Sequence, residues 1–140
     1  HRLPAAVRET VFQTIEETSQ NTGMVLTFAL SYGGRQEIAL MAQEMVRQAR
    51  LGLIDESDVD EALVADLLPS SYLPDPDLII RTSGESRLSN FFLWQSAYSE
   101  SEFEKKPWPE FTIEDFHRIL ASYSQRERRF GRTSEQISLI

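Results

Sequence analysis

The chain has 140 residues, 41% hydrophobic and 26% charged, which fits one domain at most, with enough apolar material for a real core. No apolar run approaches the roughly 18 residues of a membrane span, there is no cleavable signal pattern, and the absence of cysteine excludes a disulfide scaffold and any thiolate metal site. A formal charge of −8 argues against a bulk-basic nucleic-acid binder and against a polybasic membrane anchor.

In chain order, residues 4–20 read as an amphipathic helix with Val7, Val11, Phe12 and Ile15 at helical spacing. Pro4 suits its first turn, and Asn21-Thr22-Gly23 is a stop signal. Residues 24–30 (Met-Val-Leu-Thr-Phe-Ala-Leu) predict a strand buried on both faces, as in a parallel sheet. Helical period returns over 36–51, with Ile38, Met41, Met45 and Ala49 on one side. Ser57 with Asp60 predicts a capped short helix whose stripe is Val59, Leu63, Val64 and Leu67. Pro69, Pro74 and Pro76 mark an extended loop, and Leu78-Ile79-Ile80 a short buried strand. Residues 82–89 read as loop, and the aromatic-rich 90–98 as helix. Thr112 with Asp115 opens a helix running to about Arg129, with Ile113, Phe116, Leu120 and Tyr123 as its stripe and Gly131 as its stop. This order is α/β: part of an open, mainly parallel sheet flanked by helices. Two strands are too few to stand alone, and the chain opens on His1 rather than Met. It is therefore read as part of a domain, cut from a longer product.

The charge is uneven. Residues 1–80 hold 5 basic and 13 acidic side chains, whereas residues 81–140 hold 9 of each. Six acids fall between Asp55 and Asp66. They suit a solvated helix face; as a calcium loop, the spacing Asp55, Asp58, Asp60 lacks the glycine and the closing glutamate.

Ligands of open α/β sheets gather at the carboxyl ends of strands, and two loops leave such ends. One is Tyr32-Gly33-Gly34-Arg35; the other runs from Arg81 through Gly84, Glu85, Arg87 and Ser89 to Asn90. In the second, two guanidinium forks, a glycine turn and a helix start capped by Ser89 or Asn90 would together make a phosphate or diphosphate site. The alternative is that Arg81 and Arg87 simply pair with Glu85 or another acid. Glu100 and Glu102 are candidate Mg²⁺ ligands or plain loop acids. Phe91, Phe92, Trp94 and Tyr98 would line an apolar pocket or be ordinary core. Arg126, Arg128, Arg129 and Arg132 form a basic patch suited to a helix end, an anionic ligand or an acidic partner. His117 has no nucleophile pattern nearby, and neither a Walker loop nor Gly-x-Gly-x-x-Gly is present.

At these loops the chain closely resembles the cis-prenyltransferases, the undecaprenyl diphosphate synthase family. The resemblance is carried by Phe28–Ile38, by the long run Asp77–Gln95 continued by Tyr98, Glu100 and Phe103, by Trp108-Pro109-Glu110-Phe111, and by Arg126–Gly131. It implies that Arg81, Arg87 and Ser89 bind the diphosphate of isopentenyl diphosphate. Glu85, Asn90, Tyr32 and Arg35 would support the site, and Glu100 would take part in holding Mg²⁺. The strand from Met24 would border the tunnel for the growing chain. The partners implied are isopentenyl diphosphate, an allylic prenyl diphosphate and a second copy in a homodimer. The product would be a membrane lipid, a cell-wall precursor carrier, made in the cytoplasm or at the membrane surface. The family's Asp-Gly-Asn loop followed by Arg, which carries its catalytic Asp, does not occur in these 140 residues, and Ser31 stands where many members have Asn. Residues 1–140 are accordingly read as the C-terminal portion of a single cis-prenyltransferase domain, holding no catalytic residue and giving no turnover alone. The alternatives are a non-catalytic partner subunit, expected to lack the Arg81–Ser89 constellation, and a generic phosphate-binding module.

Overall fold

The computed structural model describes residues 3–131 and residue 136. Two units separate along the chain, His1–Tyr32 and Gly33–Ile140.

The first unit contains helix α1, Ala5–Thr18, opening after Pro4, whose φ of −54° suits a helix entry. The hydroxyls of Thr10, Thr14 and Thr18 donate back to the carbonyls of Ala6, Thr10 and Thr14 at 3.1, 2.9 and 2.8 Å. The expected stripe is present but unburied: Val7, Val11, Phe12 and Ile15 are all exposed, Phe12 by 69%. Residues 24–30, expected as a buried strand, form none; Met24 and Val25 are each 85% exposed. A strand exists through its pairing, and no described segment pairs with this one.

The second unit opens with α2, Gly34–Arg50, carrying Glu37 in its first turn and Arg47 and Arg50 in its last, in line with the helix dipole. Its buried line is Gly34, Glu37 and Met41; of the predicted stripe Met41 is buried and Met45 half-buried, while Ile38 and Ala49 stay exposed. Glu44 accepts from Arg47 (2.7 Å) and Gln48 (2.8 Å), which holds its carboxyl down at about 2.

The acidic run supplies caps. Asp55 and Asp58 form a reciprocal capping box around the 3₁₀ turn Glu56–Asp58. Asp60 caps α3, Glu61–Leu67, by accepting from Leu63 N at 2.8 Å. Ser57, expected as the cap, instead sits inside the 3₁₀ turn with its hydroxyl on Asp55: carboxylates on both sides of it take the helix-start positions.

The sheet is a parallel pair, β1 Leu78–Arg81 with β2 Glu100–Phe103, in register Leu78↔Glu100 to Arg81↔Phe103. β2 was not foreseen, because Glu-Ser-Glu-Phe has no β-branched residue and only one apolar one. Residues 90–98 form turns, not the expected helix. Ser89, Asn90 and Phe92 have φ of 51°, 66° and 43°, a left-handed conformation in which no α-helix starts. The last helix, α4, spans Ile113–Tyr123 and opens on the expected capping box of Thr112 and Asp115. It ends at Ser124, short of Arg129 and well before Gly131. Asp115 and Ile119 are its buried residues, while the predicted Ile113, Phe116 and Leu120 are exposed. Among the described residues the apolar core is Met41, Leu68 and Ile119. The α/β class, a small parallel sheet with helices, is as expected.

Candidate anion site

Arg81 ends β1, where its carbonyl accepts from Glu104 N at 2.8 Å. The chain then turns through Ser83 (φ 69°) and Gly84 (φ 67°). Both amides are tied to the run after β2: Ser83 N donates to Lys106 O at 2.8 Å, and Gly84 N to Glu104 O at 2.9 Å. A Cβ on Gly84 would meet nothing, so glycine serves the backbone angle here, not space. Arg81 makes no ion pair among the described residues, and its Nε is buried without a hydrogen-bond partner. A buried guanidinium N–H that lacks an acceptor calls for one, and an anion at the strand end would supply it. Arg87 is paired with Glu85 and largely exposed. Of the two sequence alternatives, ion pairing therefore holds for Arg87 and not for Arg81.

Ser89 and Asn90 follow in left-handed turns, so the helix start expected to add its dipole to the site is absent. Asn90 does different work. Its carbonyl accepts from Gly34 N at 2.8 Å, and its Oδ1 from Arg35 N at 2.8 Å. The two glycine-and-arginine loops thus meet at α2. A Cβ on Gly33 would come to 2.9 Å from Asn90 Nδ2, and one on Gly34 to 2.8 Å from Leu93 Cγ, so glycine there allows close approach. The Arg35 guanidinium is exposed and has no ion pair among the described residues. Tyr32, expected beside it, belongs to the first unit.

The sequence singled out Glu37 only as part of a motif, yet it is 4% exposed. It accepts from Ser70 N at 3.0 Å and Gln95 Nε2 at 3.0 Å, while Gln95 Nε2 also reaches Ser70 Oγ at 2.5 Å. This buried clip joins α2, the turn after α3 and the aromatic turn that follows Asn90. The signal was available: Glu37 lies three residues after Gly34 and four before Met41, on one helix face. In the aromatic turn Phe91 stacks on Phe92 at 4.6 Å, and Phe91, Trp94 and Tyr98 remain exposed.

Glu100, expected as a metal ligand, is held by Arg126 at 3.1 Å; the same guanidinium pairs with Glu102 and donates to Ser101 O at 3.2 Å. The two carboxylates raise the Arg126 guanidinium above its ordinary value, Glu100 foremost. Arg126 thus engages both carboxylates, and among the described residues no group of three metal-ligating side chains occurs. The described arginines of the basic patch are likewise paired internally. Arg128 pairs with Asp77 and lies 4.6 Å from the Phe130 ring centroid, Phe130 packs on Tyr98 at 5.9 Å, and Arg129 pairs with Glu127 at 3.0 Å. The patch is thus no helix end; Arg132 lies outside the described residues.

Behind the loop, Lys106 Nζ spans both Asp115 oxygens at 2.9 and 2.8 Å. Arg118 pairs with Glu104 and approaches Asp115 at 3.6 Å.

A family model described as "Putative undecaprenyl diphosphate synthase" matches residues 1–131. The chain belongs to this family. An isoprenyl transferase of Geobacter sulfurreducens is 52% identical over 136 residues, 97% of this chain and 55% of that protein. One of Chlorobaculum tepidum is 47% identical over 135 residues, 96% of this chain and 51% of that protein. Among solved structures, lavandulyl diphosphate synthase from Lavandula x intermedia, in complex with dimethylallyl diphosphate, superposes with a TM-score of 0.86 at 37% identity, covering 93% of this chain and 56% of that one. A probable undecaprenyl diphosphate synthase from Campylobacter jejuni gives 0.75 at 32%, covering 94% and 59%. The chain spans about half the length of the prenyltransferase relatives it matches, in keeping with a half-length reading. Among the described residues no helix is long and apolar enough to cross a membrane.

Proposed function

We propose that this prenyltransferase chain supplies the isopentenyl diphosphate side of an enzyme that joins isopentenyl diphosphate to an allylic diphosphate with a new cis double bond. The observation that carries the reading is Arg81: a guanidinium at the carboxyl end of a parallel strand, its Nε buried and unpaired, beside a glycine turn. Arg87 would exchange Glu85 for a diphosphate oxygen, an exchange between two anions on one exposed fork. Ser89 and the Gly84 turn complete the cradle, and Asn90 fixes its distance from Arg35.

In the reaction, the allylic carbon–oxygen bond breaks and the diphosphate departs with the electron pair. The double bond of isopentenyl diphosphate attacks the allylic carbon, and loss of a proton forms the cis alkene. The work of Arg81 and Arg87 is to hold the isopentenyl diphosphate charge in place while the carbon skeleton reacts. An allylic partner is supported by the lavender relative, whose structure holds dimethylallyl diphosphate. The Asp-Gly-Asn loop expected to act on that partner is not in this sequence, so the chain by itself binds without turning over. Magnesium would find one candidate carboxylate, Glu100, and only with Arg126 displaced. A homodimer and a membrane-lipid product belong to the same reading of the whole enzyme.

Calorimetric titration of the chain with isopentenyl diphosphate tests it. A hydrogen bond to a charged group contributes about 1.5–3 kcal/mol, so Arg81→Ala is expected to weaken binding roughly tenfold or more. Equal affinity of Arg81→Ala and the unaltered chain would refute the assignment. With farnesyl diphosphate and Mg²⁺ added, long-chain product from the chain alone would overturn the division of labour.

A further inference from the structure

We infer that Lys106 and Asp115 are positioning residues for the diphosphate loop, acting through the backbone of residues 104–106; the inference rests on the diphosphate reading of Arg81 and Arg87 given above.

The path is continuous. Thr112 and Asp115 cap α4, with the Thr112 amide donating to Asp115 Oδ2 at 3.0 Å and Asp115 N to Thr112 Oγ1 at 3.3 Å. The Asp115 carboxylate, buried at the helix start, grips Lys106 Nζ with both oxygens. Glu104 is gripped in turn by Arg118, one turn further along α4, and accepts from Lys106 N at 3.1 Å. Glu104 and Lys106 are therefore fixed by α4 from one side. From the other side their carbonyls hold Gly84 N and Ser83 N, and Glu104 N holds Arg81 O. Residues 81, 83 and 84 thus take their position from the run after β2, and that run takes its position from α4.

Without this support the left-handed turn at Ser83, unfavourable for a residue bearing a Cβ, has no bonded partner to enforce it. The loop would then spend part of its time in other conformations. Apparent affinity falls by the fraction of time in which the competent conformation is populated. Lys106 is half-exposed while Asp115 is nearly buried, so water can reach a glutamine placed at residue 106, and exchange at the buried Met41 and Ile119 reports separately whether the fold is kept. Loosening of the loop is thus separable from unfolding.

The test uses the full chain, with amide hydrogen exchange and calorimetric titration with inorganic pyrophosphate on Lys106→Gln, Lys106→Arg and Asp115→Asn. The expected result for Lys106→Gln is faster exchange at Ser83 and Gly84, unchanged exchange at Met41 and Ile119, and pyrophosphate binding weakened fivefold or more. Lys106→Arg, which keeps a cation for Asp115, restores both. Lys106→Gln keeps the inference testable if Asp115→Asn, which also loses a helix cap, fails to fold. Unchanged exchange at Ser83 and Gly84 in Lys106→Gln overturns the inference, as does unchanged affinity alongside loosened amides. An unaltered chain that takes no pyrophosphate, with Arg81→Ala no different from it, overturns the diphosphate reading itself. That result is distinguishable, because the exchange measurement still reports whether Lys106 holds the loop.

Discussion

Replacing Gly34 by alanine sets two effects of opposite sign against each other. Gly34 is the first residue of α2, and glycine inside a helix costs about 0.5–1 kcal/mol relative to alanine, so propensity alone favours the variant. The added Cβ, however, would lie 2.8 Å from Leu93 Cγ, 3.2 Å from Leu93 N and 3.3 Å from Asn90 O. The side-chain atom can swing away; the two backbone atoms cannot. Asn90 O is moreover the acceptor for Gly34 N at 2.8 Å, so relieving the clash stretches that bond. Overpacking of this kind costs about 1–3 kcal/mol, and a weakened hydrogen bond adds up to about 1 kcal/mol. The clash wins, and Gly34→Ala is expected to lose about 1–3 kcal/mol in urea unfolding followed by the fluorescence of Trp94, the neighbour of Leu93. Gly23→Ala is the control, since nothing lies within 4 Å of its added Cβ; its expected change is within about 0.5 kcal/mol. A Gly34→Ala chain as stable as the unaltered one would refute the close approach of the two loops.

Ile119 is 1% exposed, so Ile119→Ala is expected to cost about 2–5 kcal/mol by the same measurement, while Phe116→Ala on the exposed side of α4 costs far less; equal losses would mean that the buried face of α4 is misassigned. Glu37→Ala would leave the Ser70 amide and the Gln95 side chain short of an acceptor, at about 1–3 kcal/mol for each buried group left unsatisfied; a neutral result in thermal unfolding would count against the clip. The Asp115 carboxyl is held below its ordinary value of 3.8, first by the Lys106 ammonium and then by the Thr112 amide. A lowered folded-state value means that this contribution is complete above pH 4 and is lost as the pH falls through the lowered value. The stability gap between the unaltered chain and Asp115→Asn, followed by circular dichroism, should therefore shrink on acidification below pH 4; a gap that widens there would contradict the assignment.

Much of this was legible in the residues themselves. The capping box of Thr112 and Asp115, the strand at Leu78–Ile80 and the helical spans of α1 and α2 follow from local chemistry that needs no distant partner. The two glycine-and-arginine loops stand out by residue type alone, although residues 24–30 before the first form no strand and residues 90–98 after the second form no helix. What depends on a partner was not. Residues 24–30 have the composition of a buried strand and pair with nothing described, whereas Glu100–Phe103 has a poor strand composition and pairs with β1 because the ladder offers itself there.

Side-chain pairing divides in the same way. The sequence supplied the arginines and the acids, but it left open whether Arg81 and Arg87 meet each other's acids or a ligand. The tertiary structure gave Glu85 to Arg87 and both Glu100 and Glu102 to Arg126, and left Arg81 Nε buried with no partner. The same holds for the charge: the sequence determined its uneven division, with every net negative in residues 1–80. Only the fold decided that Arg126, Arg128 and Arg129 are spent on internal carboxylates while the guanidinium at the end of β1 is not. Charge is a property of composition, but its neutralisation depends on distances of a few ångströms, and those exist only once the chain has folded.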